Sequence, residues 1–316
     1  MHPNQSLKLT LKQRREFTVV VFRKSRNRIY VFSNQQIFNK RAKRFTQLSS
    51  SPLERIISIC VMKLSLYLSI LPLLIIGCSS IQVLPDYVKI EKVLTKRVNT
   101  ANIIYYMSED DSIQGSRNEQ FYLWLSTKLK NGINDKIIYY KYKDVEQKYQ
   151  LMGAKGNAVV IDDRVHTISS YDNHELVHVL VGKYYGNPPK MFTEGIAVAH
   201  QTNPAENDFV PKWGVKPIDS IALELSIQSK IPNFDSLLVF GQFFRYPESI
   251  SYPVSGSYVS YLLSNYGYDN LWLFVTKCNW TESVPELKKI FKEVYQKDIE
   301  LTWIEWKKHL NSKSNL

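Results

Sequence analysis

Two histidines four residues apart, with a glutamate beside the first, are the side chains of this chain best suited to chemistry. His174 and His178 would project from the same face of a helix, one turn apart. Two imidazoles so placed can bind one Zn²⁺, and Glu175 would lie beside the water of such a site as a general base. Apolar neighbours favour a helix here, and Asp172 or Asn173 could serve near its N-terminus.

A catalytic zinc site needs a third protein ligand, since its fourth position is left for water. The metzincin pattern would place glycine at position 181 and histidine at position 184, but the chain has Val181 and Tyr184. Glu194 lies sixteen residues beyond the second histidine, in a second predicted helix, and can fold back onto the metal after one reversal. Alternatively, Glu194 is an ordinary first-turn glutamate favoured by the helix dipole, and His200 is a weaker candidate ligand.

The two segments together resemble the gluzincins, the metallopeptidase group that includes thermolysin and the zinc aminopeptidases. The resemblance rests on the motif from His174 to His178 and on the helix that begins around Glu194-Gly195. It is closest to the bacterial peptidase MA-like family and spans about residues 100–275. The spacing of sixteen residues is shorter than in the best-known gluzincins, so the connecting loop is trimmed.

A later tyrosine-rich segment is similar to a helix of the same families, in which a tyrosine opens the segment and a small residue follows three positions later. Tyr252 and Ser255 meet this pattern, and the apolar helix ends near Tyr266-Gly267. The resemblance implies that Tyr252 hydrogen-bonds a developing oxyanion and that Ser255 is a close-packing residue. Tyr258 is the alternative oxyanion donor, and either tyrosine could instead be one of many packing residues among the 20 in the chain.

The resemblance implies zinc-dependent hydrolysis of peptide bonds. Zn²⁺ would be held by His174, His178 and Glu194, where it would polarise the peptide carbonyl and lower the pKa of its bound water. Glu175 would take the water proton and later deliver it to the leaving amine. Zinc and Tyr252 would stabilise the oxyanion.

The elements that must position these residues form a predicted α+β fold. The hydrophobic pattern predicts three strands with two helices among them, followed by mostly helical sequence from Tyr171 onward. The strands are Ile103–Met107, Lys136–Tyr142 and Asn157–Asp162, and the helices are Asn118–Leu129 and Asp144–Leu151. The resemblance implies a zincin-like peptidase domain over residues 101–316, with a small mixed α/β N-terminal lobe and a mostly helical C-terminal lobe. By the same analogy, an extended peptide would pair along the strand that ends at Ile161, as an edge strand.

Two patterns predict how helices pack. In the first predicted helix, the expected inward residues are Phe121, Leu123, Leu125 and Leu129. Near the C-terminus, the spacing of Trp303 and Trp306 favours packing of a helix over an exposed binding ridge.

An apolar run over residues 64–76 follows Met62 and a lysine, and Gly77-Cys78 comes directly after it. A short positive segment, an apolar run of this length and a small residue at the cleavage position are typical of a secretory signal. The junction resembles the bacterial lipobox, which implies that the chain is cut before Cys78 and that a lipid is attached to this cysteine. The lipid would then supply the membrane affinity.

The lipobox resemblance divides the chain into a signal peptide over residues 62–77, a polar tether over 78–100 and the peptidase domain. It implies a lipid-anchored protein of the bacterial cell envelope, on a periplasmic or extracellular face. Residues 1–61 would be an over-extended gene start, because such a signal should begin the chain. If Met1 is the true start, the apolar stretch is a signal anchor instead.

The positive charge of the chain lies almost entirely in its first 61 residues. The formal net charge is +12, but residues 1–61 carry 13 Lys and Arg against 2 Asp and Glu. The remaining 28 basic and 27 acidic residues nearly cancel, so we expect no nucleic-acid-binding face. A small basic hairpin turning near residues 25–27 is the other interpretation of the leading segment.

Cysteine usage and the implied partners complete the expectations. Without the leader, the cysteines are Cys78 and Cys278, and lipidation would use the first, so no disulfide framework is available. We expect a monomer that binds a peptide or protein substrate and, through its lipid, a membrane. The alternative to an enzyme is a non-catalytic surface lipoprotein that uses the zincin fold for binding.

Overall fold

The computed structural model describes residues 85–129, 136–202 and 210–313, and the backbone of two short strands nearer the N-terminus. The chain divides into two compact units, residues 1–83 and residues 84–316. The second unit carries all the residues for which chemistry was predicted, except the lipidation site.

In the first unit, β1 (Val21–Ser25) and β2 (Arg28–Phe32) pair as an antiparallel hairpin. The small hairpin considered for this segment is therefore present. That residues 1–61 are an over-extended gene start stays a prediction. The signal peptide predicted over residues 62–77 and the lipid-bearing Cys78 lie outside the described residues.

The second unit is built on a five-stranded mixed sheet. Its strands are β3 (Lys96–Asn99), β4 (Ile103–Met107), β5 (Ile137–Lys141), β6 (Ala158–Ile161) and β7 (Arg164–Thr167). The order across the sheet is β3-β4-β5-β7-β6. The three central strands are parallel, whereas β3 and β6 run antiparallel to their neighbours at the two edges. Asp162 and Asp163 have positive φ angles, which suits the two-residue turn that joins β6 to β7.

Helices surround this sheet and form the rest of the unit. In chain order they are α1 (Tyr87–Val93), α2 (Gly115–Leu129), α3 (Val145–Met152), α4 (Asn173–Tyr185), α5 (Lys190–His200), α6 (Ile218–Ile227), α7 (Phe234–Leu238), α8 (Phe240–Phe243), α9 (Glu248–Lys277), α10 (Val284–Tyr295) and α11 (Ile299–Lys313). A minimal hairpin, β8 (Lys212–Trp213) with β9 (Lys216–Pro217), precedes α6. The unit thus has a mixed α+β architecture. Among the helices of the described residues, none is long and apolar enough to cross a membrane.

The two faces of the sheet meet different partners because side chains alternate along each strand. Tyr105 of β4 and Tyr139 of β5 are buried in the main core, which continues through the helices that follow. Their neighbours Tyr106 and Tyr140 belong to a second cluster, mostly aromatic. The sheet therefore separates a small aromatic layer from the large core that holds α4 and α5.

The second cluster shows that the folded domain begins earlier in the chain than predicted. Ile90 of α1 and Leu94 just after it are fully buried with Tyr140 and Tyr142. The next segment, β3, pairs with β4. The predicted tether over residues 78–100 is therefore corrected, because its second half belongs to the folded unit. Helix α1 was not recognised because it has only seven residues, fewer than two turns. Within it Ile90 is buried whereas Val88 and Val93 are exposed, so no apolar face is evident from the sequence.

Helix α2 confirms three of its four predicted inward residues and corrects the fourth. Phe121, Leu125 and Leu129 are fully buried, but Leu123 is 57% exposed and Tyr122 is buried in its place. On a helix, the position two residues after an inward side chain is turned by about 200° and faces away from the core. Spacing of three and four, not two, identifies the buried face.

Small residues let α5 and α9 approach closely. A Cβ atom added at Gly195 would lie 2.7 Å from the backbone oxygen of Ser255, and one at Gly256 would lie 2.5 Å from Val198. Either contact would push the helices apart, so glycine is required at both positions. Elsewhere, Trp303 and Trp306 of α11 are buried, which confirms that they pack a helix and do not form a surface ridge.

Candidate metal centre

Helix α4 presents both histidines of the motif toward α5. Its N-cap is Asp172, whose Oδ1 accepts from the backbone N–H of Glu175 at 3.2 Å. The other carboxylate oxygen accepts from the hydroxyl of Thr167, the last residue of β7, at 2.7 Å. One aspartate therefore satisfies the helix start and ties it to the sheet, which fixes the direction of the two imidazoles.

Three side chains converge on one point between α4 and α5. Nε2 of His174 and Nε2 of His178 lie 3.0 Å apart, and Oε2 of Glu194 lies 3.3 and 3.2 Å from them. Ligands of a tetrahedral ion with bonds of about 2.0–2.1 Å are separated by about 3.3 Å. Two imidazole nitrogens and a carboxylate oxygen are also the donors that catalytic zinc sites use. The donor set and its spacing both fit Zn²⁺.

Glu194 reaches this point from α5, which follows α4 after a short connection. One turn along α5, Lys190 donates from Nζ to the second oxygen of Glu194, Oε1, at 3.0 Å. Gly195 lets α5 lie directly against α9, as described above. The sixteen-residue spacing is therefore long enough, because only residues 186–189 connect α4 to α5 and Glu194 lies one turn into α5.

The charges at this cluster are strongly coupled. Burial alone would raise the pKa of Glu194, but the charge of His178 and the hydrogen bonds of both imidazoles hold that pKa well below its usual range. Burial alone would lower the pKa of His174, yet the Glu194 carboxylate outweighs it and raises this pKa to about 9. A divalent cation would compete with a proton for the same nitrogen.

Gln201 is a residue of this site that the sequence reasoning missed. Its Nε2 donates to the carbonyl of Lys212 at 2.7 Å, so its Oε1 faces His174 and accepts from Nδ1 at 2.8 Å. Because Nδ1 donates to Gln201, Nε2 is the nitrogen that His174 can offer to a metal once a cation displaces its proton. Gln201 directly follows α5, and no motif or spacing in the sequence marks it.

Glu175 and Tyr252 lie beside the three donors. Glu175 is buried, which raises the pKa of its carboxyl, while the two imidazoles act in the opposite direction. The ring of Tyr252 stacks on His174 with centroids 6.0 Å apart. Burial and the Glu194 carboxylate raise the pKa of Tyr252 far above its usual range, so its hydroxyl remains a proton donor.

The structure places the two alternative residues elsewhere. Tyr258 is fully buried and its hydroxyl pairs with that of Thr302 at 2.6 Å. His200 is also buried, with Nδ1 donating to the carbonyl of Ile196 at 2.7 Å and Nε2 facing Tyr268. Neither side chain belongs to the group of donors around Glu194.

Comparison with models of known protein families and with curated proteins gave no match. The geometry of the described residues therefore has to support any function on its own.

Proposed function

We propose that this chain is a zinc-dependent peptidase of the gluzincin type. The observation that carries the proposal is the convergence of three donor atoms, on His174, His178 and Glu194, at mutual distances of 3.0–3.3 Å. Three protein ligands of this kind leave one position of a tetrahedral ion for water or substrate, as in catalytic rather than structural sites.

The chemistry divides between the metal and two neighbouring side chains. Bound Zn²⁺ would supply Lewis-acid polarisation of the peptide carbonyl and activation of water. Glu175 would take the proton of the attacking water and pass it to the leaving nitrogen, for which its raised pKa is suited. Tyr252, held protonated, would donate a hydrogen bond to the oxyanion.

We also propose that the fold is zincin-like. In support, α4 packs against β6 and β7, and β6 is an edge strand antiparallel to its neighbour. An edge strand has unpaired backbone groups to which an extended peptide can add as a further strand. The substrate would thus lie along β6, with its scissile bond over the metal ligands.

Export and lipid anchoring at Cys78 are proposed on the sequence pattern alone, and with them a monomer at a cell-envelope membrane. The intact mass of the native protein tests this directly. A chain that begins at Cys78 with acyl chains attached supports the lipoprotein. A chain that still carries residues 1–61 contradicts it.

The peptidase proposal is tested with Glu175→Gln, because this variant should separate metal binding from turnover. We expect near-stoichiometric zinc in both the native protein and the variant, and a loss of peptide hydrolysis by a factor of about 10²–10⁴ in the variant. Glu224→Gln, on the exposed surface of α6, is the matched control and should hydrolyse normally. Zinc binding without hydrolysis in the native protein would favour the non-catalytic lipoprotein, and retained turnover in Glu175→Gln would remove this residue as the base.

A further inference from the structure

Three exposed aromatic rings form a continuous patch, here called the aromatic ridge: Phe240, Phe244 and Trp280. Their side chains are 44%, 52% and 52% exposed. The ring of Phe240 lies 5.3 Å from that of Phe244 and 5.5 Å from that of Trp280, between centroids. Adjacent large apolar side chains left in water commonly mark an interaction site, and aromatic side chains are frequent anchors there.

The local structure explains why these rings point outward. Helix α8 is a single turn, and its Phe243 is fully buried. Phe240 and Phe244 are four residues apart, so their rings lie next to each other, and both are on the exposed side of the turn. Phe243 thus anchors the turn to the core while its neighbours stay exposed.

Successive ring contacts link the aromatic ridge to the metal-ligand cluster, which consists of His174, His178 and Glu194. Phe244 contacts Phe243 at 5.5 Å, Phe243 contacts Tyr252 at 5.9 Å, and Tyr252 stacks on His174 at 6.0 Å. The candidate oxyanion donor and the ridge are therefore connected through one buried ring, that of Phe243.

The contacts of Lys190 set an upper limit on the distance between the ridge and the Glu194 carboxylate. Nζ of Lys190 lies 3.0 Å from Oε1 of Glu194 and 5.9 Å from the ring centre of Phe244, so this ring is at most 8.9 Å from the metal-ligand carboxylate. An extended peptide advances about 3.3 Å per residue. A residue no more than about three positions from a bond held at the metal would therefore reach the ridge.

We infer that the aromatic ridge binds the substrate, and that the preferred substrate is an extended polypeptide with a bulky apolar side chain within about three residues of the cleaved bond. This inference rests on the proposed peptidase function. Extended or unfolded protein segments expose such side chains, whereas folded proteins mostly bury them in their interior. The short distance between Phe244 and the Glu194 carboxylate favours a substrate over a bilayer or a second copy of the chain, since neither of these needs the patch to lie near the metal ligands.

The test compares the double variant Phe240→Ser/Phe244→Ser with the double variant Leu301→Ser/Ile304→Ser. The control pair is similarly exposed, 48% and 45%, and lies on α11. Short labelled peptides that carry phenylalanine or serine about three positions from the cleaved bond are the probes. Their binding is measured by fluorescence anisotropy, and their cleavage is measured as kcat/KM.

We expect the native protein and the control variant to prefer the phenylalanine peptide by about tenfold in both measurements. The ridge variant should lose this preference, bind the serine peptide as before and keep its zinc content. Equal binding of the two peptides by the native protein would overturn the inference, even with hydrolysis intact.

The outcomes also separate this inference from the peptidase proposal. Binding that depends on the ridge without hydrolysis keeps the ridge as a peptide site and removes the enzyme. Flotation with phosphatidylethanolamine–phosphatidylglycerol vesicles, or a dimer by light scattering, tests the other occupants. If the ridge variant loses either of these while its peptide preference is unchanged, the substrate assignment is overturned.

Discussion

Histidines in two parts of this molecule have pKa values shifted in opposite directions. In the aromatic layer and behind α5, burial lowers the pKa of His166 to about 3 and that of His200 to about 4. Burial acts in the same direction on His174, whose side chain is 19% exposed, yet the Glu194 carboxylate outweighs it and raises the pKa of His174 to about 9. The first two are neutral packing residues, whereas the third belongs to a group of donors that attracts a cation.

The difference lies in what surrounds each ring. His166 stacks among tyrosines, and His200 hydrogen-bonds within its own helix and contacts Tyr268 and Trp272. His174 instead lies beside a second imidazole and a carboxylate, and the donor atoms of these three groups converge on one point. Burial alone therefore does not identify a functional histidine, but convergence of donors does.

The largest expected effect contrasts Glu194→Ala with His200→Phe. The first substitution removes a metal ligand, so zinc affinity should fall by more than about a hundredfold and hydrolysis should be lost. The second removes a hydrogen bond in the core, so the free energy of unfolding should fall by about 1–3 kcal/mol while zinc is retained. Zinc titration and chemical denaturation measure the two quantities, and loss of zinc from His200→Phe would break the contrast.

Substitution of two tyrosines of α9 should likewise affect catalysis in one case and stability in the other. Tyr252→Phe removes the proposed oxyanion donor, so kcat should fall by about a hundredfold with little change in KM or stability. Tyr258→Phe removes a buried hydrogen bond to Thr302, so it should cost about 1 kcal/mol of stability and leave kcat unchanged. Steady-state kinetics and urea denaturation of both variants check this, and equal kinetic effects would contradict it.

Gln201→Ala should have a smaller effect on the metal than loss of a ligand. Without the acceptor at Nδ1, the tautomer of His174 is no longer fixed, so zinc affinity should fall about 10–100-fold. Gln228→Ala, at the exposed end of α6, is the control. Unchanged zinc affinity in Gln201→Ala would show that the hydrogen bond has no role in metal binding.

A further contrast is in the pH dependence of stability in EDTA-treated protein. Because the pKa of His174 is raised from 6.5 to about 9, its contribution is present below pH 6.5 and is lost as the pH rises through 9, on the order of 3 kcal/mol. The lowered pKa of His200 acts oppositely and destabilises the protein as the pH falls from 6.5 toward 4. Urea denaturation of the native protein at pH 6.5 and 9 should show that the His174 contribution to the free energy of unfolding is lost at the higher pH. If the same loss occurs in Glu194→Gln, the carboxylate is not its cause.

Several features of the fold were readable from the sequence because they depend on local order. The strand β4 begins and ends where predicted, and β5 and β6 are each one residue shorter at both ends than the predicted segments. Asp172 was one of two candidates for the start of α4 and is its N-cap. By contrast, β7 and α1 were missed, because each is so short that its pairing and packing partners decide its conformation.

The sequence by itself determined that His174 and His178 share one helix face with Glu175 between them, because helical periodicity alone sets their relative position. Only the tertiary structure decided which more distant residues join them. Glu194, Gln201 and Tyr252 reach the cluster because α5 lies between α4 and α9, at a separation that glycines permit. Such contacts depend on packing across long stretches of chain, so the family pattern favoured Tyr252 over Tyr258 without placing either side chain, and no local pattern reveals Gln201.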